Sequence, residues 1–284
     1  MMQAPDIGEV VMHHTADAYA IGIEPFFTVH WHRWPDWHLG PLTVNVTPTK
    51  HVVFLFLAAG LVFLTMWAAG RQLTRQRAGE RAPSGFGNAI EAMVLFVRNE
   101  IAIANIGHDG EKFAPYIMTL FFFILYANLL GLLPGGSTAT GNLAVTGALA
   151  ITAFFTIEIS GLLKLGPKGY LRTIFPKAPG LSGVGAVVMS LAMGPIELLG
   201  KLVKPVALAV RLFGNMTAGH FVILSLFGLI FLFGQLEGWR WGIGLVTSAI
   251  VLGIMLLELF VAFLQAYVFA LLTSVFIGLL QHEH

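Results

Sequence analysis

The chain has 284 residues, of which 56% are hydrophobic and 11% charged, with a mean hydropathy of +0.79 and a formal net charge of +1. Soluble domains carry about 25% charged residues, so this is the composition of a membrane protein, long enough for about five or six spans. The near-zero charge gives no footprint for nucleic acid, and the absence of cysteine excludes disulfides, thiolate metal sites and cysteine nucleophiles.

Residues 1–50 form a separate N-terminal region, rich in His, Trp and Pro, with Pro5, Pro25, Pro35, Pro41 and Pro48. It lacks a basic stretch followed by an apolar run, so it does not read as a cleavable signal. His30, His32 and His38 sit among Trp31, Trp34 and Trp37. Two readings stand: a metal site, or an aromatic belt at headgroup depth, which needs no further ligands.

The first span is Val52 to Ala69, followed at once by Arg71, Arg75, Arg77 and Arg81. The positive-inside rule then puts the N-terminus outside and this loop in the cytoplasm. Phe86 to Ile106 is apolar on one face and polar on the other, too polar to span, and reads as a helix at the cytoplasmic interface or a short soluble helix on a loop. His108, Asp109 and Glu111 follow as a solvated turn. The second span is Pro115 to Leu133. A turn over 134–141 leads to the third, Leu143 to Leu163, in which Thr146 and Ser160 are expected to bond their own helix backbone. Glu158 near its end reads as interfacial or channel-lining. Lys164, Lys168, Arg172 and Lys177 again mark the cytoplasm, in a Pro/Gly-rich loop over 166–185.

The fourth segment, Val187 to Phe233, is far longer than the ~30 Å hydrocarbon core needs, so it must tilt or kink, with Pro195 and Pro205 as natural kink points. The fifth, Gly242 to Leu280, is also overlong. Five crossings leave the C-terminus in the cytoplasm. The expected fold is an all-α polytopic membrane protein: residues 1–50 extracytoplasmic, and residues 51–284 a membrane domain ending in a hairpin of two long tilted helices.

That hairpin holds the informative residues. Arg211 lies inside the fourth span, where a guanidinium costs at least ~2.5–3.5 kcal/mol and cannot deprotonate to escape the cost. A cation that never loses its proton is a poor proton carrier but a good electrostatic barrier. Lys204 lies seven residues before it and Asn215 four after, on nearly the same face, whereas His220 faces the other side. Glu258 and Gln265 share a face of the fifth span, seven residues apart. His220 and Glu258 can form a proton-exchanging pair. Other readings remain for several of these residues: Lys204 snorkelling to headgroups, Glu197 and Lys201 as an i,i+4 pair, Arg211 in a structural ion pair with Glu197 or Glu258.

The stretch Lys204-Pro-Val-Ala-Leu-Ala-Val-Arg-Leu-Phe-Gly-Asn-Met-Thr-Ala-Gly-His220 resembles the signature of the a subunit of F-type ATP synthase. Glu258-Leu-Phe-Val-Ala-Phe-Leu-Gln-Ala-Tyr-Val-Phe-Ala-Leu-Leu-Thr273 is similar to that family's last helix. Ala127-Asn-Leu-Leu-Gly-Leu-Leu-Pro134 and Gly141-Asn-Leu-Ala-Val-Thr146 resemble its middle hairpin more weakly. The likeness covers the chain from about residue 50 onward and leaves the N-terminal region uncovered.

The resemblance implies a stator lying against a rotating ring of c subunits, with two offset half-channels that carry protons to and from ring carboxylates. Arg211 matches the family's essential arginine, which favours the ionised ring carboxylate and blocks a direct leak. Asn215 and Gln265 match polar residues near it, and His220 and Glu258 a Glu/His pair of the inlet half-channel. Glu197 and Lys204 match positions toward the cytoplasmic half-channel, and Asn128 one near the outer access. Gly131 stands where some relatives carry an acidic residue. The implied partners are the c ring, the b-subunit peripheral stalk, other subunits of the complex and membrane lipid. The implied location is a bacterial inner membrane. No phosphate loop, metal-ligand set or nucleophile–base arrangement appears, so no cofactor or metal is expected, nucleotide chemistry is left to partner subunits, and the chain alone is not an enzyme. The rival reading is a proton-coupled secondary transporter, which would be expected to show inverted repeats that are not apparent.

Overall fold

Helices account for nearly all of the regular structure, because a chain crossing lipid must satisfy each backbone N–H and C=O within its own helix. The computed structural model describes residues 20–23, 27–30, 32–35, 37–39, 42–44, 47–77, 86–133, 136–176, 183–233 and 240–282. Five of its helices are long and apolar enough to cross a membrane. Arg81, Lys177, the connection at 234–239 and the side chains of His30 and His38 lie outside the described residues.

The N-terminal region adds something the sequence reading did not anticipate. Two antiparallel hairpins pair β1 (Ala20–Ile23) with β2 (Phe27–His30) and β3 (Trp37–Leu39) with β4 (Leu42–Val44). The β-branched and aromatic residues of these short runs suit strands.

The first span is α1 (Lys50–Arg77), whose Arg71 guanidinium lies 3.6 Å from the Trp67 ring centroid one turn back. The amphipathic stretch forms α2 (Phe86–Phe96), a π-helical segment Val97–Ile103 and a short α3 (Ala104–Ile106). Its apolar face is fully buried at Val97, Ile101 and Ala102, and Asn99 and Glu100 face out. The Asn105 amide donates to the Glu100 (3.2 Å) and Ile101 (2.8 Å) carbonyls of the π-helical segment. Gly107, at φ 82°, ends the helix in a conformation other residues rarely adopt.

The following turn is solvated, with His108 and Glu111 exposed, and it also carries an ionic clamp. Asp109 accepts from Lys112 (2.8 Å) and from Lys164 (2.7 Å), and Arg98 reaches Glu111 (2.7 Å). The hydrogen bonds from the two ammonium groups hold the Asp109 carboxyl down at about 2.

α4 (Gly110–Gly131) is the most enclosed span, with Ile117, Phe121, Phe122 and Ile124 at 0% exposure. A 3₁₀ turn (Ala139–Gly141) leads into α5 (Leu143–Ile174). Thr146 and Ser160 donate to the carbonyls of Leu143 and Ile157, as expected of hydroxyls in a span. The Pro/Gly-rich stretch expected to be loop from 166 is partly helical: Gly166 breaks the axis at φ 69°, and Pro167 opens a final stretch to Ile174. α6 (Val184–Phe233) and α7 (Arg240–His282) follow. α6 is assigned as one helix through both Pro195 and Pro205, and its 50 residues give a length of about 75 Å.

The contacts divide the chain into two compact units. The first gathers residues 1–63, 123–142 and 212–265, and the second residues 64–122, 143–211 and 266–284. In the second, Gly278 of α7 lies against the Asn105 carbonyl, where an added Cβ would stand 2.1 Å from the oxygen.

Candidate functional site

Each unit holds a buried polar cluster. In the first unit the cluster is built on glycine. A Cβ at Gly219 would fall 1.8 Å from Glu258 Oε1, so the carboxyl of α7 occupies the notch that the missing side chain leaves on α6. Glu258 is 7% exposed, and its Oε1 has no hydrogen-bond partner among the described residues. His220 follows Gly219 directly, and the two titratable groups lie close enough to interact electrostatically. No hydrogen bond joins them, because the imidazole is engaged elsewhere. Nδ1 lies 2.9 Å from the Met216 carbonyl oxygen, and Nε2 lies 3.1 Å from that of Gly131 and 3.2 Å from Thr138 Oγ1.

Asn128, on α4, is fully buried. Its amide donates to the Ala262 carbonyl (3.2 Å) and its oxygen accepts from Thr140 (2.6 Å), so it ties α4 to the 3₁₀ turn and to α7. Gln265 is buried at 6%. Gly131, noted for its lack of an acidic side chain, has no room for any: a Cβ there would lie 1.6 Å from Thr138 Oγ1.

The second unit holds a cavity of about 220 Å³ whose lining includes Glu158, Thr173, Glu197, Lys201, Lys204 and Phe276. Lys201 is 8% exposed; its ammonium lies 3.4 Å from Glu158, 3.1 Å from Thr173 Oγ1 and 4.5 Å from the Tyr170 ring centroid. Tyr170 donates its hydroxyl to the same Glu158 carboxylate. Lys201 thus pairs across to α5 instead of along its own helix to Glu197. Glu158, whose side chain is 14% exposed, is the acceptor of this part-buried cluster. Lys204, which is exposed, places its ammonium 4.7 Å from the Phe276 ring centroid.

Arg211 belongs to the second unit, and Asn215, His220, Glu258 and Gln265 to the first. On α6, Leu208 and Ala209 are buried and Ala207, Val210 and Arg211 exposed in the second unit; Leu212 and Met216 are buried and Asn215 and Ala218 exposed in the first.

Set beside known proteins, the chain matches the family model described as ATP synthase A chain over residues 52–278. The chain belongs to the ATP synthase A chain family. It is 44% identical over 272 residues to ATP synthase subunit a 2 of Chlorobaculum tepidum, an alignment covering 96% of this chain and 72% of that protein. ATP synthase subunit a of Chloroherpeton thalassium is 42% identical over 273 residues, covering 96% of this chain and 77% of the relative. That of Anaeromyxobacter dehalogenans is 44% identical over 288 residues, covering 96% and 69%. The family match takes in all five spans of this ATP synthase A chain family member, and membership displaces the secondary-transporter reading.

His51, Ser137 and Thr138 in the first unit, and Tyr170 and Thr173 in the second, were not singled out from sequence. A histidine beside Lys50 at the foot of an apolar run was the one available signal, since the partners of His51 are 86 and 87 residues away.

Proposed function

We propose that this chain is the ion-translocating stator of an F-type ATP synthase, passing protons to and from carboxylates on a rotating c ring. The observation that carries the reading is the exposure of Arg211 on α6. Lipid is a costly neighbour for a permanent guanidinium. Ala207, one turn before Arg211 and also exposed, leaves room for another helix to come close. A partner with a carboxylate at that depth would be held ionised beside Arg211, and the fixed charge would bar protons from crossing directly.

In this reading His220 and Glu258 pass protons on the inlet side, with Asn128 behind them, and Asn215 and Gln265 orient Arg211 or line water. The cavity lined by Glu197, Lys201 and Lys204 gives access from the cytoplasm. Nucleotide chemistry belongs to partner subunits, so this chain is not itself an enzyme, and a b-subunit stalk would hold it still. Arg71, Arg75 and Arg77, in the last turns of α1, support a cytoplasmic end for that helix, with residues 1–50 periplasmic and the C-terminus cytoplasmic in a bacterial inner membrane.

The test is ATP-driven proton pumping in inverted vesicles, comparing wild type with Arg211→Ala in an assembled complex. Loss of pumping with the complex intact is the expected result. Unchanged pumping would remove the reading.

A further inference from the structure

A second histidine lies behind the first unit's cluster. His51, at the start of α1, is 6% exposed. Its Nδ1 is 2.9 Å from Ser137 Oγ and 3.2 Å from the Thr138 carbonyl oxygen. A carbonyl only accepts, so the bond to Thr138 is made with a proton on Nδ1, donated into the turn that follows α4. The next group along is the Thr138 hydroxyl, 3.2 Å from His220 Nε2. Ser137, Thr138 and His51 are all buried, and Gly131 leaves the space in which the Thr138 hydroxyl sits.

The partners of His220 give this arrangement its meaning. Nδ1 faces the Met216 carbonyl and must carry a proton to bond it. Nε2 faces two groups of opposite capacity. When Nε2 is bare, the Thr138 hydroxyl can donate to it; when Nε2 is protonated, it can donate to the Gly131 carbonyl, 3.1 Å away. Both protonation states of the ring thus have a partner without the ring moving. The neutral state depends on where the Thr138 hydroxyl is held, and the backbone of that residue is held by His51.

We propose that His51 is a positioning residue for His220: by clamping Ser137 and the Thr138 carbonyl, it fixes the Thr138 hydroxyl as the partner of Nε2. The inference rests on the reading that His220 passes protons. The contacts of His51 reach Ser137 and the backbone of Thr138, while the contact to His220 comes from the Thr138 side chain.

The test uses substitutions that separate the two ring nitrogens. Asn places an amide where Nδ1 stands; Gln places one where Nε2 stands and leaves the Nδ1 position empty. ATP-driven proton pumping is measured in inverted vesicles holding equal amounts of assembled complex. His51→Gln and Thr138→Val are each expected to lower the rate about three- to tenfold, the range for losing one hydrogen bond. His51→Asn and Thr138→Ser should recover most of it. The double variant His51→Gln/Thr138→Val should fall no further than either single, since both break one linkage. Wild-type pumping in His51→Gln, or equal loss in His51→Asn, would overturn the proposal. Should His51→Gln not assemble, equal pumping by Thr138→Val and Thr138→Ser would overturn it instead. His220→Ala is run beside them: wild-type pumping there would remove the proton-passing reading itself, whereas its loss together with an unaffected His51→Gln would remove only the role of His51.

Discussion

Glu158 and Glu258 are both carboxyls within membrane spans, and their surroundings differ sharply. Glu158 accepts from the Tyr170 hydroxyl and from Lys201, whose ammonium also reaches Thr173. Glu258 is pressed into the Gly219 notch with Oε1 unbonded among the described residues. A buried charge with good partners can be structural, and removing one partner strands the other. A buried acid with an unbonded oxygen costs stability where it sits, as groups kept for chemistry often do. The pair sets a partnered carboxyl of the second unit against one in the first unit with an oxygen unbonded among the described residues, the one proposed to pass a proton.

The largest effect should come from breaking the satisfied cluster. Lys201→Ala leaves the part-buried Glu158 without its counter-charge and should cost about 2–3 kcal/mol, below the range for a fully buried pair, read as a fall in thermal stability in detergent. Replacing both partners, Glu158→Gln with Lys201→Met, should recover most of that. A double variant no better than the single would mean that Lys201 acts on its own. Next is Gly219→Ala, whose Cβ would collide with Glu258 Oε1 and should cost about 1–3 kcal/mol and reduce pumping. Wild-type pumping in that variant would show that the carboxyl need not occupy the notch.

Glu258→Gln sharpens the contrast most directly. It should stay within about 1 kcal/mol of wild type in stability, having no bond at Oε1 to lose, while proton pumping fails. A stability loss as large as that of Lys201→Ala would erase the distinction between the two acids. The smallest effect is expected at the exposed clamp. Asp109→Asn should lower thermal stability slightly at neutral pH, with the difference from wild type disappearing in acid. The folded Asp109 carboxyl titrates at about 2, below its ordinary 3.8, so its contribution is complete above the ordinary value and is lost as pH falls through about 2. A difference that persisted at pH 2 would mean that the ion pairs with Lys112 and Lys164 are not its source.

The spans were legible because lipid demands long, unbroken apolar helices, and the polar residues that interrupt them stand out against that background. Arg211, His220 and Glu258 were conspicuous for this reason, and the Gly219 notch brings the last two together as the helical register allowed. The Glu158–Lys201 pair was not legible, because it joins residues 43 apart and Lys201 also had a nearer candidate in Glu197. His51 was hidden in the same way, beside Lys50 with its partners in a distant glycine-rich turn. The hairpins of residues 20–44 were obscured by prolines that read as loop.

Gly278 sets a reference mark for the last stretch of α7, residues 266–282. Because the helix meets the Asn105 carbonyl there with no side chain between, its angular setting is fixed at that point. An α-helix turns by about 100° and advances about 1.5 Å per residue, so one residue inserted between Thr273 and Gly278 would turn the buried Phe269, Ala270 and Thr273 out of phase with that mark.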